Sequence, residues 1–313
     1  MKRLFIIPIL LLFVVAGSAQ NYVDLAKLYY QNTPQNDFDS INGSTNVQEF
    51  GVDLTYPVKL DNGNAVITGL SYNSLSFSLD ETQAVTLNDI SLKLGMSINH
   101  SEKLSGTYML LPKISSDFNA FGSNDFQIGA LALLKIKKSE NFKYKIGLFY
   151  NTELFGHFFV PFFGFYYISD SKKFEADLSL PIAADVNYSL SSKFKIGFNY
   201  ATGTKSYNLN KSYDLQKTDA SPVASSDDAY IKKYTLEAFP YIRYDITESL
   251  LFYAKVGYSV GRAYEVSKNG DENNASILSI GLGDDPTVLN STFKDGLIYR
   301  LGFKYRFHIK KGE

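Results

Sequence analysis

Several residue types and patterns are missing from this chain. It has no cysteine, which excludes a disulfide framework, a thiolate metal site and a cysteine nucleophile. Its 31 basic and 32 acidic residues nearly cancel, so no overall field attracts nucleic acid. Beyond the N-terminal region, no apolar run reaches the roughly 18 residues of a membrane-spanning helix. Helical periodicity and helix caps are also scarce, which disfavours a helical fold.

The N-terminus has the pattern of an export signal. A short basic start is followed by an apolar run at 4–15 and by small residues at 16–19. This order is typical of a secretory signal peptide, and it predicts that residues 1–19 are removed by cleavage after Ala19. The apolar run is too short for a membrane anchor, which needs roughly 20 residues. No linker or low-complexity tract follows, so residues 20–313 are predicted to form a single domain.

The last strand-like run, LIYRLGFKYRFH at 297–308, alternates over a dozen residues. A strand has a side-chain period of two, so alternate residues share a face. One face carries Leu297, Tyr299, Leu301, Phe303, Tyr305 and Phe307. The other face carries Ile298, Arg300, Gly302, Lys304, Arg306 and His308. Close to the C-terminus of an exported chain, this pattern is typical of the closing strand of an outer-membrane β-barrel.

Alternation recurs along the chain and predicts an all-β fold. It is found at 50–56, 90–98, 142–150, 174–180, 186–190 and 252–260. The chain also has 24 Phe and 23 Tyr but no Trp, at a mean hydropathy of −0.12. So many aromatic residues are unusual for a soluble domain but suit the lipid-facing surface and girdles of a barrel.

The connections distinguish a barrel from a sandwich, because they fall into two kinds. Short polar turns are predicted at 60–64, 99–103, 137–141, 169–173, 189–193 and 245–249. Longer polar loops are predicted at 32–46, 115–125, 201–229 and 267–295. Short periplasmic turns and long outer loops are typical of a transmembrane antiparallel up-and-down β-barrel. With a first strand at 23–31 the count is fourteen strands, and twelve is the alternative.

Two segments and the closing strand also carry a family resemblance. The segments are SLKLGMSINHSEKLSGTYMLLPKISSDF at 91–118 and the aromatic block IGLFYNTELFGHFFVPFFGFYYISDSKKFEADLSLPIAADVNYSL at 146–190. With them, the chain resembles a domain-of-unknown-function family of outer-membrane β-barrel proteins from Bacteroidetes-type bacteria. The resemblance implies the barrel and its location, and it assigns no activity and no functional residue.

Candidate catalytic and metal-binding residues are few. The three histidines are His100 in a short turn, His157 at the start of an aromatic strand and His308 on the inner register of the last strand. No serine elbow accompanies them, so a barrel hydrolase is the least favoured interpretation. Acidic pairs at 227–228, 271–272 and 284–285 lack EF-hand spacing and are interpreted as solvated loop charge. We therefore predict no enzymatic activity, no cofactor and no metal site.

The face opposite the aromatic residues carries charge and predicts what fills the barrel. Residues predicted to line its interior are Lys143, Lys145, Lys193, Lys195, Arg300, Lys304, Arg306, Glu175, Asp177 and Asp185, together with Asp53 and Asp89. These charges would either pair with one another to hold the interior together or form rings that filter solutes. A barrel of about 14 strands needs filling if it is not a pore. Both interpretations stay open.

The favoured function is a passive outer-membrane channel or small-solute transporter. A non-conducting structural or surface-binding barrel is the alternative. The expected location is the outer membrane of a Gram-negative bacterium, with membrane lipid and lipopolysaccharide as surroundings and the barrel assembly machinery as a partner during biogenesis. No nucleic-acid partner is expected, and the solute is unknown.

Overall fold

A computed structural model of the chain describes residues 22–270, 275–278 and 280–308. Within these ranges the backbone is mostly β-structure, with one 3-10 turn at Ser123–Asp125. None of the described residues belongs to a helix that is long and apolar enough to cross a membrane. The predicted signal peptide at 1–19 lies outside the described ranges.

The strands are numbered in chain order. The first eleven are β1 (Tyr22–Asp37), β2 (Ser44–Lys59), β3 (Ala65–Ser78), β4 (Ala84–Asn99), β5 (Leu104–Ser116), β6 (Phe126–Ser139), β7 (Phe142–Glu153), β8 (Gly156–Ile168), β9 (Phe174–Ser179), β10 (Ala183–Ser189) and β11 (Phe194–Leu209). The others are β12 (Asp214–Leu215), β13 (Ala224–Ser225), β14 (Ala229–Asp245), β15 (Leu250–Ser259), β16 (Ala263–Lys268), β17 (Ala275–Ile277), β18 (Ile280–Leu282) and β19 (Leu297–His308).

Fourteen of the described strands form a closed antiparallel barrel. They are β1 to β11, β14, β15 and β19, and each pairs with the next. The seam closes between β1 and β19, from Tyr22↔His308 to Asn32↔Tyr299. This confirms the predicted barrel of fourteen strands with its first strand over 23–31, and the alternative of twelve is wrong.

The outer surface of the barrel is apolar. Along β19, Leu297, Tyr299, Leu301, Phe303, Tyr305 and Phe307 are 39–52% exposed, whereas Ile298 and Arg306 on the opposite face are 0% and 5% exposed. The same alternation exposes Tyr144, Ile146 and Leu148 in β7. Because the exposed face is apolar and every wall strand has two neighbours, the architecture is that of an outer-membrane barrel that faces lipid.

The two ends of the barrel differ as predicted. Six short turns lie at one end, together with the start of β1 and the end of β19. Short turns mark the periplasmic end of such barrels. The opposite, extracellular end carries the long connections between β11 and β14 and between β15 and β19.

The predicted loop boundaries need correction at the extracellular end. Residues 32–37 and 44–46 belong to strands, and the predicted loop 201–229 begins with nine residues of β11. Its remainder contains the small β12–β13 hairpin. Residues 201–209 resemble a loop in sequence because they are mostly polar and lack the alternation of a lipid-facing strand. They lack it because most of them lie inside the barrel and do not face lipid.

Candidate functional site

A ribbon of three strands crosses the interior of the barrel. Its residues are 203–209 of β11, 229–235 of β14 and all of β16, and it is called the partition from here on. In the described chain β16 does not join the wall. It pairs with the extracellular half of β14, while β15 pairs with the periplasmic half. Residue 208 of β11 forms a parallel bridge to Ser116 at the end of β5. Since β5 and β11 lie on nearly opposite sides of a fourteen-stranded wall, the ribbon spans the interior.

One face of the partition packs on the inner surface of β2 to β4. Tyr207, Leu209 and Ile231 are at most 4% exposed there and belong to one buried apolar cluster with Leu75 and Leu87. Charged groups continue this contact toward the periplasmic side. The Lys205 and Lys233 ammonium groups lie 3.2 and 2.6 Å from carboxylate oxygens of Asp89 and Glu49, and the Tyr207 hydroxyl donates to Asp89 at 3.2 Å.

The other face of the partition is held by the buried carboxylate of Glu153 at the end of β7. Its Oε2 accepts hydrogen bonds from the backbone N–H and the hydroxyl of Ser206, both at 2.6 Å. Its Oε1 lies 3.0 Å from the Lys113 ammonium and also accepts from the Asn151 amide. Ser115 donates to the Ser206 carbonyl oxygen at 2.7 Å. A single carboxylate therefore joins β5, β7 and the partition.

The bend into the interior is made between β15 and β16. The N–H of Val260 still donates to the Leu236 carbonyl of β14 at 2.8 Å. The chain then leaves the ladder, and Gly261 adopts a φ of +63°, which glycine tolerates without strain. The Asp295 carboxylate accepts the N–H groups of Gly261 and Arg262 at 2.7 and 2.9 Å. The Arg262 guanidinium is 4.9 Å from the Phe293 ring centre and donates to the Asn36 side chain at 2.5 Å. These contacts tie the bend to the top of β1.

The periplasmic half of the interior holds a network of ion pairs. Next to the seam, the Asp24 carboxylate lies 2.8 Å from Arg306 and 3.6 Å from Lys304. Higher up, Arg300 pairs with Glu237 at 2.9 Å and donates to Gln31 at 2.6 Å. Glu237 also accepts from the Gln31 amide at 3.0 Å, so the charges are linked across strands.

The remaining residues predicted to line the pore lie in different surroundings. Lys145 pairs with Asp177, Glu175 accepts from the hydroxyl of Tyr22 at 2.9 Å, and Asp185 accepts from that of Tyr241 at 2.8 Å. Asp53, also predicted to point inward, lies 2.5 Å from the Lys93 ammonium.

The other three lysines differ from these. Lys143 and Lys195 lie on the inner face, and no ion pair to either is found among the described residues. Lys193 is exposed in the turn between β10 and β11. Whether any of these charges contacts a solute stays a prediction.

The histidines and acidic pairs lie at the ends of the barrel. His100 and His157 are exposed, and their ring nitrogens lie 2.9 and 2.8 Å from the hydroxyls of Tyr108 and Tyr150. His308 is exposed beside Tyr22. The pairs at 227–228 and 284–285 are exposed, and 271–272 lies outside the described residues. No cluster of three metal-ligating side chains is present in the part of the chain that the structure describes.

The sequence did not reveal the partition or its anchors. Glu153 and Ser206 are ordinary polar residues of a strand and of a supposed loop, and their contact joins positions 53 residues apart. The available hint was a stretch of strand length, 201–209, whose lipid-facing register holds no aliphatic residue, since it consists of Thr202, Thr204, Ser206 and Asn208.

Comparison with solved structures finds bacterial outer-membrane proteins. An outer-membrane channel from Pseudomonas putida F1 is 10% identical, with a TM-score of 0.44, and the alignment covers 90% of this chain and 94% of that one. The NanC porin is 11% identical, with a TM-score of 0.36 and coverages of 90% and 98%. The toluene transporter TodX from Pseudomonas putida is 9% identical, with a TM-score of 0.35 and coverages of 94% and 93%. At these identities the likeness concerns the fold alone.

No protein of curated function matches the sequence. A family model does match, and it covers residues 18–306, which include every barrel strand in the described ranges except the last two residues of β19. The chain therefore belongs to the family described as Domain of unknown function (DUF6268).

Proposed function

We propose that this protein is an outer-membrane transporter for small solutes whose path is restricted by the partition. The observation that carries the proposal is the ribbon across a polar interior: Asn208 of β11 contacts Ser116 of β5 on the far side of the barrel. A solute that passes through the extracellular half must go around or displace this ribbon.

The width of the barrel supports a transport role. Eight-stranded barrels fill their interior with side chains, whereas barrels of 16–18 strands leave an aqueous channel. A barrel of fourteen strands lies between them and has space that side chains alone do not fill. Here the periplasmic half is lined by paired charges and the extracellular half holds the partition. The arrangement favours a narrow, regulated path over a permanently open pore.

Conductance in planar bilayers tests the proposal, and a variant that lacks the β11 and β14 strands of the partition provides the comparison. Thr202 and Leu236 are cross-strand partners at the base of the partition. Replacing 203–235 with Asn-Gly should therefore join β11 and β14 by a two-residue hairpin. The matched control replaces only 216–223, between β12 and β13, with the same dipeptide and leaves the partition intact.

The expected result is a small conductance in the wild type and in the control, and one several-fold larger in the variant that lacks 203–235. A wild type that conducts as well as the deletion variant would show that the partition restricts nothing. A wild type that never conducts, beside a deletion variant that does, would favour the non-conducting structural or surface-binding barrel. The filled interior is the observation on which that alternative depends.

A further inference from the structure

The wall of the barrel is interrupted between β8 and β11. The two strands that separate them, β9 and β10, have six and seven residues, whereas β8 and β11 have thirteen and sixteen. Beyond Tyr166–Ile168, β8 keeps one bridge to this hairpin, Phe163↔Leu180. The N–H of Thr202 donates to Ile182 at 2.9 Å, and above that level β11 turns into the interior. Among the described residues, β8 has no backbone partner on this side between Phe159 and Phe163, and this stretch of the wall is called the gap.

Two neighbouring segments border the gap. On its extracellular side, β17 pairs in parallel with β8 from Ala275↔His157 to Ile277↔Phe159. The next residue, Leu278, donates its N–H to Phe159 at 2.9 Å. The gap is therefore bounded by Leu278 on its extracellular side, by the turn at 180–182 on its periplasmic side, and by residues 160–162 of β8 along one edge.

A proline lies where β8 borders the gap. The N–H of Phe163 and the carbonyl of Phe159 both bond away from β7, to Leu180 and Leu278. By the alternation of a strand, the backbone of Pro161 points in that same direction. A proline has no N–H, so no donor is left unpaired at this position. The sequence of β8 thus suits an open edge where a paired strand would need an amide.

A cavity of about 550 Å³ lies behind the gap. Its lining includes Pro181, Ile182 and Leu278, which border the gap, together with Phe158 and Val160 from the inner face of β8. The volume lies within the roughly 300–1,000 Å³ of small-molecule sites. The residues that frame the gap therefore also line the cavity, and Ile182 and Leu278 pack there against the buried cluster that contains Phe158 and Val160.

The opposite wall of the cavity is a lipid-type face that has turned inward. On β11, Ile196 and Phe198 are 41% and 49% exposed on the outer surface of the barrel. Tyr200, Thr202 and Thr204 continue the same face, but they line the cavity because the strand bends into the interior. One strand face therefore runs without interruption from the lipid-facing surface into the cavity.

The deep end of the cavity is polar. Lys113 with Glu153 and Lys205 with Asp89 lie there, and the Lys205 side chain keeps 42% of its surface exposed despite its partner. The side-chain Oδ1 of Asn151, which is 4% exposed, has no hydrogen-bond partner among the described residues. An unpaired buried acceptor costs free energy that a donor on a ligand would recover.

We infer that the gap is a lateral portal and that the cavity binds a small amphiphile, with an apolar body near the portal and one hydroxyl or carboxyl head at the deep end. The aromatic and aliphatic residues near the portal match the body. The Oδ1 of Asn151 would accept a hydrogen bond from a hydroxyl head, and the Lys205 ammonium would pair with a carboxylate head. Entry through the wall suits a molecule that partitions into the membrane. The inference rests on the proposed function, because it names the class of solute that the transporter would carry. Binding of that solute can be measured without conduction, so the two proposals are tested separately.

Binding of a dansyl-labelled medium-chain fatty acid to the protein in lipid nanodiscs tests the inference. Because the chain has no Trp, Tyr200→Trp places a single energy-transfer donor in the cavity, and Tyr244→Trp on the outer face of β14 is its counterpart. Val160→Trp fills the cavity from β8. Its matched control is Phe163→Trp on the same strand, whose side chain is 68% exposed and faces out. Heat-modifiable migration on gels shows that each variant is folded.

We expect saturable binding. Energy transfer to the dansyl group should be much stronger from the Tyr200→Trp variant than from the Tyr244→Trp variant. Val160→Trp should weaken binding at least ten-fold, while Phe163→Trp binds as the wild type does. In Tyr200→Trp, quenching of the indole fluorescence by brominated phospholipid would assign entry to the membrane side, whereas quenching only by aqueous iodide would overturn the lateral portal. Unchanged binding in folded Val160→Trp, or no saturable binding in a wild type that conducts, would overturn the cavity assignment and leave the proposed function intact.

Discussion

Replacing Glu153 with alanine should release the partition. The Lys113 and Glu153 side chains are 7% and 1% exposed, so the variant leaves a buried ammonium without its charge partner. Breaking such a pair costs about 3–5 kcal/mol while the docked partition keeps Lys113 buried, and the cost falls once the partition leaves and water reaches the ammonium. The variant also removes the acceptor of two short hydrogen bonds from Ser206. At 1.4 kcal/mol for each factor of ten, the balance between docked and undocked partition shifts by roughly two to three and a half orders of magnitude.

Trypsin cleavage at Lys233 reports this shift in folded barrels. That lysine is 8% exposed and paired with Glu49, so the protease reaches it only when the partition has left its place. When docking is fast relative to cleavage, the rate follows the undocked population. Mass spectrometry of outer-membrane vesicles should show cleavage at Lys233 at least a hundred-fold faster in Glu153→Ala.

Two controls make the reasoning refutable. Glu140→Ala removes an exposed partner of Lys137, worth less than about 1 kcal/mol, and should leave the rate unchanged. The double variant Lys113→Met with Glu153→Leu removes both charges, and apolar replacement of a buried pair is often neutral. It should recover the part of the protection that the unpaired ammonium costs, but not the part that the two hydrogen bonds from Ser206 supply. Equal cleavage rates in Glu153→Ala and the wild type would show that this carboxylate does not hold the partition.

Three further predictions follow from the barrel. The mature protein should fractionate with outer membrane and migrate heat-modifiably on gels, and recovery from the soluble periplasm would contradict the lipid-facing surface. Replacing Phe303, Tyr305 and Phe307 with Asp should abolish assembly, because charge on the lipid face costs up to roughly 2–4 kcal/mol per site; normal heat-modifiability would show that this face does not meet lipid. In a salt gradient, conduction should show a modest anion preference that Lys143→Gln with Lys195→Gln lowers, because no described carboxylate pairs with either lysine. A reversal potential that these two substitutions leave unchanged would show that the ion path does not pass these lysines.

The wall could be predicted from the sequence because lipid imposes a simple rule on it. Each wall strand has one face toward hydrocarbon, so its apolar residues recur at every second position, as in β19. The partition obeys no such rule, because both of its faces contact protein. Tyr207 packs on apolar residues while Ser206 bonds a carboxylate, and neither shows the alternation of the wall.

The interior charges show the same division. Strand parity predicted that Arg300 and Arg306 point inward, and they do. Parity says nothing about partners, because these come from strands that become neighbours across the interior only after folding. The pair between Lys233 and Glu49, for example, joins positions 184 residues apart. Which charges face solutes and which neutralise one another is therefore a property of the closed barrel.

The proline that borders the gap also bears on how an interrupted wall avoids recruiting other chains. An open strand edge offers a ladder on which a foreign strand can add, and such addition leads to aggregation or swapping. At Pro161 a foreign strand would find one rung missing, and next to it β17 already occupies the edge at 157–159. A small molecule needs no ladder and is not hindered. The same residue that leaves the opening free thus discriminates between a peptide backbone and a ligand.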